Sequence, residues 1–170
     1  MLIVPNFPAF LLLPIGRLWN GERSKNTNFS SFAELQKNDE GLLIKTTIIN
    51  TLGLKKENFS DEKNCLFLVD DDGQYLEVDL MINGRFSVSG FDKPNQKIAE
   101  FNNFSFKTNY QEVSNKIINE IIIPNDLLPS KLSALNVFFV TNEQILAYYP
   151  LPGSGPNIHQ PESFPLAKME

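Results

Sequence analysis

A single cysteine, Cys65, and a single histidine, His159, stand among 170 residues. That count excludes an internal disulfide, a disulfide scaffold and a structural zinc site of the Cys/His type. Basic residues are also scarce: Lys and Arg total 15 against 20 Asp and Glu, giving a net charge of −5. A protein that neutralises phosphates shows a basic stripe, and none is visible, so no nucleic-acid partner is expected. Long apolar runs are missing too. The most apolar stretch, Met1 to Gly16, carries three prolines, lacks a positively charged start, and falls short of the roughly 20 residues of a membrane span. It reads as a buried strand and its approach, not a signal peptide, so no membrane association and a cytoplasmic location are expected. The sequons at Asn28, Asn58 and Asn103 then have no access to glycosylation. No GxxxxGK[ST], GxGxxG or GxSxG occurs, which removes the common phosphate-cradling and nucleophile-elbow readings.

What is present is strand-forming sequence. Apolar runs of four to eight residues, rich in Ile, Val, Phe and Tyr, are broken every 8 to 12 residues by Asn, Gly, Pro or Asp. Strands are expected at Ala9–Pro14, Phe29–Gln36, Gly41–Asn50, Cys65–Asp70, Gln74–Met81, Arg85–Gly90, Phe101–Tyr110, Lys116–Ile123, Asn136–Thr141 and Gln144–Tyr149. With almost no helical periodicity, the chain is expected to be all-β, a two-sheet antiparallel sandwich forming one domain over residues 1–170. Gln74 to Val88 gives the clearest signal, because Leu76, Val78 and Leu80 alternate with Tyr75, Glu77 and Asp79 ahead of Asn83-Gly84, a type I′ hairpin signature. A second hairpin should turn at Thr141-Asn142-Glu143. Pro124 to Ser130 should hold one helical turn capped by Asn125 or Asp126. The proline-rich segment 150–170 should pack over the surface.

Few residues offer chemistry. Asp70-Asp71-Asp72-Gly73 is an acidic turn whose Asp70 and Asp72 are the weak candidates for calcium, without the ligand spacing of an EF-hand. Glu77 and Asp79 share one face of a strand, roughly 6.5 to 7 Å apart; they read as the solvated face of a hairpin more simply than as a catalytic pair. His159 is either a tie between the proline-rich tail and the sandwich or a ligand contact. Cys65 opens an apolar strand and reads as a small hydrophobe. Trp19, beside Asn20-Gly21, and Tyr148-Tyr149 are the aromatics nearest to polar or turn residues, where sugar faces could stack.

Several segments together carry a resemblance: Trp19-Asn20-Gly21, QYLEVDLMINGRF at Gln74–Phe86, IIIPNDLLPSK at Ile121–Lys131, LNVFFV at Leu135–Val140, YYPLPG at Tyr148–Gly153 and PNIHQPESF at Pro156–Phe164. In order and spacing the chain resembles the β-sandwiches of the family-nine carbohydrate-binding-module and DOMON-like group. Within it, the chain is similar to a group of small uncharacterised proteins lacking secretion signals. The resemblance implies a two-sheet antiparallel sandwich that binds sugars or, in some branches, haem, and it does not imply an enzyme. No cofactor is expected, since His159 with Met81 or Met169 is a thin set of axial ligands. The leading reading is a non-catalytic module for a carbohydrate or similar polar small molecule, with Trp19, Glu77, Tyr148 and His159 as contacts. The alternative is a protein-interaction or scaffold module with a protein partner and no small ligand. A hydrolase using Glu77 or His159 stands third.

Overall fold

The structure, a computed structural model, describes residues 1–24, 29–50, 62–102 and 104–170. The three sequon asparagines, Asn28, Asn58 and Asn103, lie outside the described residues. Strands are numbered in chain order. One sheet has five strands, β10 (Lys107–Val113), β11 (Lys116–Pro124), β5 (Gly41–Asn50), β4 (Phe29–Asn38) and β2 (Leu11–Ile15), adjacent in that order. The other has seven, in the order β3 (Arg17–Leu18), β13 (Ile145–Ala147), β12 (Leu132–Val140), β6 (Lys63–Asp70), β7 (Tyr75–Met81), β8 (Phe86–Lys93) and β9 (Gln96–Glu100). Every pairing inside these two sheets is antiparallel. The architecture is therefore the all-β sandwich expected, and no described helix is long and apolar enough to cross a membrane.

The main core follows from period-two alternation. Leu13, Ile15, Ala33, Leu35, Ile44, Ile48 and Ile121 from the five-stranded sheet meet Leu66, Leu68, Val78, Leu135, Val137 and Phe139 from the other. Each is essentially excluded from water, and burying the Leu, Ile, Val and Phe side chains among them contributes roughly 1.5 to 3 kcal/mol apiece before chain entropy is counted. β6 differs from a half-buried strand. Cys65, Leu66, Phe67, Leu68 and Val69 are all buried, so this strand is covered on both faces.

Several local expectations change. The β7–β8 hairpin forms, with Leu80 opposite Phe86, but its turn is not type I′. Positive φ occurs at Gly84 alone, 84°, whose N–H donates to Met81 O at 3.0 Å. This is a tight turn closed by a left-handed glycine, adopted because Ile82 turns inward, buried, with its N–H bonded to Glu62 O. The strand expected at Phe101–Tyr110 starts only at Lys107. Phe101, Phe104 and Phe106 instead pack ring against ring where the chain leaves one sheet for the other. The turn after Pro124 is a 3-10 turn, Asn125–Leu127, without a side-chain cap; Asn125 is spent on Asp39 O and on the Lys37 ammonium. The Thr141 turn forms, and Thr141 Oγ1 accepts the N–H groups of Glu143 and Gln144.

Four short strands, β3 and β9 above and two at residues 2–4 and 167–169, were not legible in the sequence. β1 (Leu2–Val4) and β14 (Ala167–Met169) pair in parallel, Leu2 opposite Ala167. This ribbon spans both sheets, since the segment around β14 bonds to β12 through Leu135 N–H and Pro165 O, while Pro5 and Phe7 bond to Lys37 of β4. It anchors the tail that precedes β14, where the candidate site lies.

Candidate functional site on the outer sheet face

Residues 150–164 lie across the outer face of the seven-stranded sheet. Leu151, Pro161 and Phe164 are buried there, and Leu151 and Phe164 join a second apolar cluster with Phe67, Tyr75, Phe91, Ala134, Phe138 and Ala147. Phe67 is its centre, with ring centroids 5.7 Å from Phe138, 5.5 Å from Phe164 and 5.3 Å from the His159 imidazole. Tyr75 and Phe91, opposite one another on β7 and β8, stack at 4.8 Å. Aromatic pairs at such separations add to simple burial.

An ionic group continues this face along β6 and β7. Glu77 and Asp79 are 9% and 6% exposed, which corrects their reading as a solvated hairpin face: alternation sets which residues share a face, and the tail and Lys63 then cover it. Lys63 Nζ donates to Asp79 Oδ2 at 2.6 Å and stands 3.7 Å from Glu77 Oε1. Ser87 Oγ also donates to Asp79 Oδ2, at 3.2 Å. On the other side, Glu77 Oε2 lies 3.8 Å from His159 Nε2, and His159 Nδ1 bonds Tyr75 Oη at 2.9 Å. The Tyr75 oxygen accepts from Asn95 N–H. In the tautomer where Tyr75 Oη donates to Nδ1, the imidazole carries its N–H at Nε2, toward Glu77.

Burial governs the protonation of the group. Desolvation, reinforced by the Asp79 charge, raises Glu77 to about 7 even though Lys63 opposes it. The same desolvation lowers the His159 pKa, with Lys63 adding to the effect. For Lys63 burial opposes the charge, but Cys65, Asp79 and Glu77 outweigh it and push its pKa up. Cys65, fully buried, has its thiol pKa pushed well up by burial and by Asp79. Among buried side-chain atoms without a hydrogen-bond partner is Asp79 Oδ1. Cys65, Glu77 and Asp79 place their donor atoms within 4.8 Å of one another.

Two of the four contact residues named from sequence meet here, Glu77 and His159. Tyr148 is half-buried against the main core, on the opposite face of the sheet. Trp19 is half-buried at the β3 edge, where its N–H donates to Ile145 O and its carbonyl accepts from Leu151 N–H. In the acidic loop, Asp70 Oδ1 accepts from the N–H groups of Asp72 and Gln74, both at 2.9 Å, and Asp71 pairs with Lys131. Cys65 is a buried hydrophobe, as expected, though one beside a carboxylate. Lys63 and Tyr75 were not singled out from sequence. The continuous apolar run Cys65–Val69 was the available signal, because a strand apolar on both faces must be covered twice.

Above His159 the tail bounds an open cleft of about 790 Å³, lined by Pro94, Pro152, Pro156, Asn157, His159, Gln160 and Glu162 among others. Asn157 shapes it, accepting His159 N–H through Oδ1 and the Gln160 amide through its carbonyl.

The same fold occurs in solved structures. A carbohydrate-binding module of family 9 from Caldicellulosiruptor kristjanssonii, solved in complex with cellotriose, superposes with a TM-score of 0.63 over 99% of this chain and 93% of its own, at 11% identity. A family 9 module from the same organism in complex with glucose gives 0.60 over 99% and 95%, at 12% identity. A protein of Bacteroides uniformis described as a "putative carbohydrate-binding protein" gives 0.66 over 95% and 87%, at 11% identity. No family model matches the sequence, and no curated protein matches it. The shared property is the family 9-like β-sandwich fold.

Proposed function

We propose that the protein is a carbohydrate-binding module without catalytic chemistry, taking a sugar or similar polar small molecule at the cleft beside His159. The observation that carries the reading is the convergence of His159, Asn157, Gln160 and Glu162 on one open cleft, with Glu77 and Tyr75 fixing the imidazole from beneath. Sugars are recognised by a few oriented donors and acceptors set against apolar surface; here Pro94, Pro152 and Pro156 supply the apolar walls. The likeness to modules solved with glucose and cellotriose supports the same reading through the fold. Trp19 and Tyr148, on other parts of the molecule, are assigned no contact.

Thermal shift and calorimetry against glucose and a β-glucan oligosaccharide series test this, because a ligand that prefers the native state raises the melting temperature. A saturable response is expected that weakens at least tenfold in His159→Ala and is unchanged in Trp19→Ala. A folded protein that responds to no saccharide would overturn it and favour the protein-interaction reading.

A further inference from the structure

Among the described residues, Cys65, Glu77 and Asp79 form a compact group of candidate metal ligands away from the cleft wall. All three are at least nine-tenths buried. The two oxygens of Asp79 divide the work in a way ion pairing alone does not explain. Oδ2 takes both the Lys63 ammonium and the Ser87 hydroxyl, while Oδ1 is buried with no hydrogen-bond donor in good geometry; the other side-chain interactions of this carboxylate are with Cys65 and Glu77, its fellow candidates. Leaving a carboxylate oxygen dry and unpaired is costly, and native structures rarely do so without a reason. A metal-ligating carboxylate has this anatomy: one oxygen on the ion and the other held by neighbouring donors.

From this geometry we infer that Cys65, Glu77 and Asp79 form a binding site for a zinc-class divalent cation, with Asp79 Oδ1 as the preset ligand atom and Lys63 as the neutralising neighbour. Zinc takes thiolate, imidazole and carboxylate donors at roughly 2.0 to 2.3 Å, usually four of them. Donors already within 4.8 Å of one another need a contraction on the order of 1 Å to reach that shell. A thiolate among the donors favours zinc over calcium or magnesium. Charge balances as well: a divalent ion, one thiolate, two carboxylates and the Lys63 ammonium sum to zero, as a buried site requires. The scarcity of histidine excludes a Cys/His cluster but does not reach this set, because two of its three donors are carboxylates two apart on β7, against which strand pairing sets Cys65, opposite Asp79. Binding forms metal–sulfur and metal–oxygen bonds and expels the thiol proton, with any proton on Glu77, to solvent.

The site shares Glu77 with the support of His159 but does not rest on the sugar reading, and its test uses the metal alone. Cobalt(II) titrated into the full chain should give, at one equivalent, the thiolate-to-metal charge-transfer absorption of a tetrahedral site. Zinc should displace it, release at least one proton per ion in a weakly buffered solution, and raise the melting temperature. Cys65→Ser should abolish the band and Asp79→Asn should weaken binding at least tenfold, each checked by circular dichroism to be folded. Should Asp79→Asn fail to fold, Ser87→Ala serves, with a smaller weakening expected. His159→Asn should keep the band, because an adventitious ion on the one histidine of the sequence would lose it. A folded wild-type protein that gives neither band nor stabilisation would overturn the assignment, as would a band that persists in Cys65→Ser. A flat saccharide screen with a positive cobalt titration would sink the sugar reading and leave the metal site standing.

Discussion

The two faces of the seven-stranded sheet are both buried, yet they are built from different chemistry. The inner face presents Leu66, Leu68, Val78, Leu80, Leu135 and Val137 to the opposing sheet, and its stability is that of close-packed hydrocarbon. The outer face sets Phe67, Tyr75 and Phe138 side by side with Lys63, Glu77 and Asp79, closed over by a tail of irregular backbone. Buried ion pairs seldom add net stability, because desolvating the charges offsets their attraction. The inner face holds the fold together, and the outer face maintains a polar group at some expense to it.

The contrast can be broken from either side. Leu68→Ala opens a cavity at the centre of the inner face and should cost about 4 kcal/mol, read by urea unfolding, with little dependence on pH. Asp79→Ala should cost about 3 kcal/mol, mostly because it strands the Lys63 charge, and Lys63→Met combined with Asp79→Leu should recover most of the loss. Equal destabilisation in the single and double variants would contradict this account of the outer face.

Proton linkage separates the faces further. Glu77 is raised to about 7 in the folded protein from an ordinary 4.5, so between those values the native state holds a proton that the unfolded chain has lost. Stability from this group is present in full below pH 4.5 and declines as the pH rises through 7. Glu62, also raised to about 7 by burial, acts in the same direction. His159, with its lowered pKa, acts in the opposite one, losing stability as the pH falls below its unfolded value. Glu77→Gln should remove on the order of 2 kcal/mol of the decline between pH 5 and 8, measured as the change in urea midpoint with pH; an unchanged slope would show that Glu77 titrates normally. The smallest effect belongs to the latch. His159→Ala removes one hydrogen bond to Tyr75 and one contact with Glu77, a loss of about 1 kcal/mol, and should appear first as faster proteolysis within residues 150–164.

Sequence alone carried the inner face well and the outer face poorly. Leu76, Val78 and Leu80 alternate strictly, and period two with a turn signal suffices to define a hairpin and its core side. Glu77 and Asp79 alternate with them just as strictly, but alternation says only that they share a face. Whether that face meets water depends on residues 150–164, rich in proline and glycine, without periodicity and far off in the chain. β9 and β14 escaped notice because five exposed or three terminal residues are too few for a pattern. Of the site, the His159–Glu77 proximity could only come from the fold, whereas the double coverage of β6 was present in its unbroken apolar run.

The ribbon of β1 with β14 has a consequence for the order in which the molecule assembles. It pairs Leu2–Val4 with Ala167–Met169, and so closes a very long loop, an entropic cost repaid only by contacts that need both sheets already in place. The ribbon should therefore be late to form and early to open. The tail runs directly into it, so water and solutes should reach the outer-face carboxylates through this partial opening while the inner core stays intact. In native-state hydrogen exchange, Leu2 and Leu135, whose amides bond to Leu166 and Pro165, should open with the tail, well below the free energy that protects Leu66 and Val78.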